Sequence, residues 1–277
     1  MPRVPVLLNR DGGALAADPK LADRVGEALK SAGIDAEVEL LSGGDCAVRC
    51  RAIAERKDPL LIVGGGDGTI SAAASALAGT NTLLGILPLG TLNHFARDLG
   101  LPADLDEAAK LIAGRNGRRV DIGEMNDRTF INNSAIGLYP LMVVASLRML
   151  IRFDHHRLTL TVNEERTGRI DTPLLFVGNN DYRIDIGAPG QRERLDGGEL
   201  CVLVMRKKTR RSLLAASLRA FFGRSRPDDM VRLDRVERLR VSAPQRQLAV
   251  SLDGEVVRAE PPLNYTIRKQ ALRVIAP

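Results

Sequence analysis

The chain has 277 residues, 44% hydrophobic and 27% charged, with 40 Lys and Arg against 34 Asp and Glu and a formal net charge of +6. That length exceeds the ~100–150 residues of a common domain, so two domains are expected. No apolar run nears the ~18 residues of a membrane span. Three cysteines without a CxxC pair argue against a disulfide framework or zinc knuckle, and 3% aromatics with no Trp argue against a single-stranded nucleic-acid platform. A cytoplasmic protein with an anionic partner other than nucleic acid is expected.

In chain order, 4–8 reads as a first strand rather than a secretion leader, followed by a helix at 19–32, a strand at 35–41, a helix at 45–57, a strand at 60–64, a helix at 71–78, a strand at 83–88 and a helix at 91–99. Strand and helix in alternation imply a parallel sheet covered on both faces, which binds ligands at the carboxyl ends of its strands. This α/β nucleotide-binding domain is drawn at 1–122. Beyond it the β-rich runs 128–134, 157–163, 172–178, 200–205, 231–241, 247–252 and 263–268, joined by Gly, Asn and Pro turns, predict an antiparallel β-sandwich domain at 123–277, with its last strands free to return to the first domain. Helical stretches at 141–153 and 212–222 interrupt it.

The run 60–69 carries the most information, because an apolar strand opens into Gly64-Gly65-Gly66-Asp67-Gly68-Thr69. Glycines let backbone N–H groups approach an anion closely, and the Ala-rich stretch behind them offers a helix N-terminus to it. An Asp among them makes sense if a divalent cation lies between it and phosphate, or if it accepts a proton from an attacking hydroxyl. Both alternatives indicate phosphoryl transfer. A second block, 87–100, stops a strand at Pro88, turns at Gly90 and offers Thr91 and Asn93 at the start of a helix. With Asn9 at the end of the first strand, it makes three polar corners along one rim of the sheet. A third block, 248–255, runs a strand into Asp253-Gly254-Glu255, which as a bare pattern is a hairpin turn.

Gly65-Gly66-Asp67-Gly68-Thr69, the block 88–100, Val120-Asp121-Ile122-Gly123, Asn132 to Gly137, Leu195 to Leu200 and Asp253-Gly254-Glu255 together resemble, in order, the diacylglycerol kinase catalytic-domain family. Its relatives include sphingosine and ceramide kinases and, more distantly, NAD kinases. The resemblance implies an ATP-binding α/β domain, a β-sandwich domain, an active site between them, and transfer of the ATP γ-phosphate to a lipid hydroxyl with Mg²⁺. It implies that Asn9, Gly64, Gly65, Gly66, Gly68, Thr69, Gly90, Thr91 and Asn93 handle the nucleotide, that Asp253 with Glu255 beside it is the general base, with Asp67 its rival, and that Asp196 is a metal ligand. The implied partner is a lipid at the inner face of a membrane; no stable protein partner is expected, and a homodimer stays open.

Three positions depart from the family pattern. Asn9-Arg10-Asp11-Gly12-Gly13 stands where the family usually has Asn-Pro-x-Ser-Gly, His94 replaces an acid, and Gly197 replaces the second of two adjacent acids. The missing acids motivate a further alternative, a catalytically weak regulatory lipid-binding homologue; an NAD-kinase-like phosphotransferase for a soluble hydroxyl compound is another. The segment 206–226 holds eight basic residues and no acid, with Leu213, Leu214, Leu218, Phe221 and Phe222 at helical spacing. It reads either as an amphipathic helix on an anionic membrane, at about 1 kcal/mol per basic residue, or as a stripe packed on the protein's own sheet.

Overall fold

The computed structural model describes residues 3–137, 155–182, 192–205 and 230–277. The expected helices at 141–153 and 212–222, and the basic segment containing the second, lie outside the described residues. The chain divides into two units, Met1–Ile122 with Lys269–Pro277, and Gly123–Arg268.

In the first unit the strands β1 (Val4–Asn9), β2 (Ala36–Leu41), β3 (Leu60–Gly65) and β4 (Leu83–Pro88) alternate with the helices α1 (Gly13–Ala17), α2 (Leu21–Ser31), α3 (Gly43–Arg56), α4 (Asp67–Leu77), α5 (His94–Asp98) and α6 (Leu105–Gly114). The strands lie in the order β2-β1-β3-β4, all parallel, in a register that sets Val6 beside Val38 on one side and Ile62 on the other. Every residue of β3 is buried, as a strand covered on both faces must be. Helix α2 turns Leu21, Val25, Ala28 and Leu29 inward at helical spacing and packs beside α6, while α3 packs beside α4.

Helix α6 is not among the elements expected from the sequence. Its Asp104 side chain accepts from the backbone N–H groups of Asp106 and Glu107, an N-cap that starts the buried stripe Ala108, Ala109 and Ile112.

The unit boundary falls within β5 (Gly117–Met125) and within the last strand. The second unit contains β6 (Arg128–Phe130), β7 (Asn133–Gly137), β8 (His156–Val162), β9 (Arg166–Thr172), β10 (Leu174–Asn179), β11 (Leu200–Met205), β12 (Met230–Val236), β13 (Arg238–Ser242), β14 (Leu248–Leu252) and β15 (Glu255–Ala259), with the first part of β16 (Leu263–Ile275). One antiparallel sheet runs β12-β11-β10-β7-β14-β15; in the other, β16, β13, β8 and β9 are neighbours in that order. Leu160, Val241 and Tyr265 from one sheet share a core with Ile136, Val177, Val202 and Val250 from the other, which makes a β-sandwich. Inside it the Tyr265 hydroxyl and Ser134 Oγ are 3.0 Å apart, and burial raises the Tyr265 phenol above its ordinary range.

Two runs read as single strands are broken. The run 231–241 changes sheets, since β12 pairs with β11 whereas β13 pairs with β16 and β8; the break falls at Glu237, and Arg235, with φ +54°, lies at an irregularity in the β11–β12 ladder just before it. The run 128–134 breaks at Ile131 and Asn132, whose N–H groups go to a side chain instead of a ladder. After Arg268 the last strand continues into the first unit, where Val274 pairs with Leu84 of β4.

All three cysteines are buried, and burial pushes each thiol up, that of Cys50 to about 12. Unfolding releases them to an ordinary thiol value of about 8.5. Above that value the unfolded chain binds fewer protons than the folded one, so these groups lower stability as pH rises through the window up to about 12. A thiol reagent at about pH 8 is therefore expected to modify the three cysteines only as the chain unfolds, and fast labelling of the native protein would contradict their burial.

Candidate active site

The strand order places a reversal between β1 and β3: from β1 the chain crosses to β2 on one side and then to β3 on the other. Open α/β sheets bind ligands at the carboxyl ends of strands at such a reversal. Asn9 ends β1 there, and its Nδ2 donates to Thr69 Oγ1 in the first turn of α4 at 2.8 Å, tying the two corners together. Asn9 also organises its own turn, where Oδ1 accepts from Asp11 N at 3.1 Å and the carbonyl accepts from Gly12 N at 3.0 Å.

Two glycines of the second corner, Gly64 and Gly65, stand where a side chain has no room. A Cβ on Gly64 would lie 2.5 Å from Leu8 Cδ2, and one on Gly65 would lie 2.7 Å from Thr69 Cβ. Gly66 then precedes α4 in extended conformation, and its carbonyl accepts from Ile70 N. The first N–H groups of the helix, on Asp67, Gly68 and Thr69, have no partner within the helix and point along its axis. Gly68 is exposed, Asp67 half-buried and Thr69 buried.

The third corner is in backbone contact with the second. A Cβ on Gly90 would fall far inside van der Waals contact with Gly66 Cα, and 2.7 Å from Asn93 Oδ1. Asn93 does not cap α5 with its side chain as its position suggests. It takes a left-handed conformation, φ +49°, and bonds back instead: Oδ1 accepts from Gly90 N at 2.9 Å, and Nδ2 donates to Gly90 O at 2.7 Å and Pro88 O at 3.2 Å. This closes residues 88–93 into a small ring that presents Thr91 to solvent. Asp67 Oδ1 accepts from Phe95 N at 3.4 Å, which links the first residue of α4 to α5.

In the second unit Asp253 and Gly254 form the two-residue turn between β14 and β15, with φ values of +47° and +92°. The hairpin pattern is thus literally present, and such a turn needs residues that tolerate positive φ. The Asp253 side chain does more. Oδ2 accepts from Ile131 N at 2.8 Å, and Oδ1 from Asn132 N at 2.8 Å and Asn133 N at 3.0 Å, so three backbone donors fix the carboxylate. Glu255 next to it is exposed at the start of β15. Asn132, Asn179 and Asn180 are buried: Asn179 Nδ2 donates to Ile131 O at 2.9 Å, and Asn180 Oδ1 accepts from Gly198 N at 3.1 Å.

Arg192 completes this group and is absent from the sequence reading, since Gln191-Arg192-Glu193-Arg194 has the composition of a solvated surface run. It is only 4% exposed. Asp196 is an exposed carboxylate in an ion pair with Arg194, 3.1 Å away, and no group of three His, Cys, Asp or Glu side chains suited to a metal occurs among the described residues. Asp121 is buried in the first unit, where it accepts from Gln270 N at 2.7 Å and pins the returning strand. No described helix is long and apolar enough to cross a membrane.

The first unit is thus an α/β unit with a glycine-lined switch point, and the second a β-sandwich that displays a backbone-clamped carboxylate. Residues 3–125 match the diacylglycerol kinase catalytic domain and residues 126–276 the YegS C-terminal NAD kinase beta sandwich-like domain. The chain belongs to the family that joins these two domains. It is 40% identical over 136 residues to the "Probable lipid kinase YegS-like" of Klebsiella pneumoniae (strain 342), covering 48% of this chain and 44% of that protein. It is 38% identical over 96 residues to a diacylglycerol kinase of Staphylococcus carnosus (strain TM300), covering 34% and 31%. These matches span less than half the length of the curated relatives. Among solved structures, a diacylglycerol kinase from Bacillus anthracis shares the fold with a TM-score of 0.75 at 22% identity over 99% of this chain and 97% of that one. An NAD kinase from Archaeoglobus fulgidus in complex with ATP gives 0.54 at 15% identity, over 98% and 92%.

Gly90→Ala is expected to force the second and third corners apart and to lower the unfolding free energy by ~1–3 kcal/mol in a urea titration. A wild-type midpoint would contradict the backbone contact.

Proposed function

We propose that this protein is an ATP-dependent lipid kinase that transfers the γ-phosphate of ATP to a hydroxyl of diacylglycerol or a related lipid alcohol at a membrane surface. The observation that carries this reading is the approach of Gly66 to Gly90 at the ends of neighbouring parallel strands, beside the Asn9–Thr69 hydrogen bond. A corner with no side chains in the way, opening an eleven-residue helix, suits a triphosphate tail. In this reading Gly64, Gly65, Gly66 and Gly68 allow the backbone to close on phosphate, Thr69 and Asn9 orient the corner, and Gly90, Thr91 and Asn93 border the nucleotide.

Mg²⁺ is usually held by one or two carboxylates and by substrate phosphates. Asp67, a single carboxylate at the head of α4, fits that pattern without a cluster of acids, and the ion would neutralise phosphate charge there. Asp253 is the proposed general base. Its three backbone donors hold the carboxylate in one orientation, which a proton acceptor for a weakly nucleophilic hydroxyl requires. The lipid hydroxyl gives its proton to Asp253 as its oxygen bonds to the γ-phosphorus, while the bond from that phosphorus to the bridging oxygen breaks and ADP departs. Asp67 is the alternative base.

The likeness to an NAD kinase fold favours a second reading, phosphorylation of a soluble hydroxyl compound. Incubation with labelled ATP and Mg²⁺ in the presence of diacylglycerol vesicles or of NAD separates the two. Label is expected in the organic phase; label on NAD would favour the second reading, and no label would overturn both. Asp253→Asn is expected to lower kcat by ~10²–10⁴-fold with little change in KM for ATP. Wild-type turnover in this variant, with loss in Asp67→Asn, would move the base to Asp67.

A further inference from the structure

We infer that Arg192 is a positioning residue that sets the Asp253 carboxylate through the peptide linking Ile131 and Asn132, an inference that rests on Asp253 being the base. The guanidinium is buried and donates to oxygen atoms around it. Nη1 donates to the carbonyls of Ile131 and Asn179, the latter at 3.2 Å, and Nη2 donates to Asn132 Oδ1 at 2.8 Å. Its Cζ lies over the Tyr182 ring, 5.3 Å from the centroid, and Phe176 meets that ring edge-on at 5.3 Å.

The two charged groups grip opposite sides of one peptide plane. The carbonyl of Ile131 takes the Arg192 donor, and the N–H of the same peptide, on Asn132, points at Asp253. The next peptide repeats the arrangement, since the Asn132 carbonyl accepts from Asn179 N and the Asn133 N–H donates to Asp253. A carbonyl bonded to a cation polarises its own amide, so the N–H on the far side becomes a stronger donor. Arg192 thereby fixes where the 131–133 segment lies and how strongly its amides hold the carboxylate. Packing alone does not call for a guanidinium: a buried charge must be matched by partners, whereas an apolar side chain of similar volume fills the same space without them. The planar fork explains the residue type, because two carbonyls and an amide oxygen are reached from one rigid group, which a lysine ammonium cannot reproduce.

The test combines a double-mutant cycle with amide exchange. Arg192→Met is expected to lower kcat by ~10–100-fold with KM for ATP unchanged, Arg192→Lys to recover part of the loss, and Arg192→Met placed on Asp253→Asn to cost nothing further. In hydrogen exchange, the amides of Ile131, Asn132 and Asn133 are expected to exchange faster in Arg192→Met while the first unit is unchanged. Additive losses in the cycle, or a loss of rate that follows a fall in the urea midpoint, would make Arg192 merely structural and overturn the inference. Unchanged exchange at those three amides would overturn it without reference to activity. Wild-type activity in Asp253→Asn would instead remove the assignment of the base, and faster exchange would still show the coupling between Arg192 and the segment that Asp253 grips.

Discussion

Backbone contact between Gly66 and Gly90 is the constraint on which the first unit's candidate site depends. Strands β3 and β4 run parallel in direct register, Gly65 opposite Pro88, so the loops that leave them start side by side. Any side chain at Gly90 would hold those loops apart. Without one, the head of α4 and the ring closed by Asn93 meet, and Asn9 from β1 joins them through Thr69. Helix packing on both faces of the sheet holds the strands that carry all three corners.

The second unit solves a different problem. A carboxylate in a hairpin turn would ordinarily be a mobile surface group, yet Asp253 is held by three consecutive amides from a segment distant in sequence. That segment is itself seated by Asn179 and Arg192, and its neighbour Ser134 meets Tyr265 inside the sandwich. Order thus passes from the apolar core outward through backbone hydrogen bonds to a single charged group. Backbone groups are a sturdy means of doing this, because they cannot change rotamer.

Much of the architecture was legible because hydrophobic period and turn residues are local. The alternation of apolar strands with amphipathic helices in the first hundred residues, and the change to short β runs after Asp121, follow from side-chain spacing alone. The misses have physical causes. Helix α6 is the exception, since Asp104 three residues before Glu107 and an apolar stripe is a local helix-start signal. The strand over 231–241 is continuous in pattern and broken in space, because the requirement to change sheets is set by neighbours far along the chain.

The candidate site divides along the same line. From the sequence alone come the glycine-rich corner after β3, the Pro-Leu-Gly-Thr-Leu-Asn turn after β4, the Asp-Gly hairpin and a family resemblance, all carried by residues contiguous in the chain. Only the tertiary structure decided that Asn93 closes a ring instead of capping a helix, that Asp253 is clamped by residues 131–133, and that Arg192 is buried among carbonyls. Each of these depends on where a side chain finds its partner. The Asp253 bond to Asn132 joins groups 121 residues apart and the Arg192 bond to Ile131 groups 61 apart, distances along the chain that leave no mark in composition or period. The Asn93 ring is local, but it is one of several bonds that an Asn in that place can make.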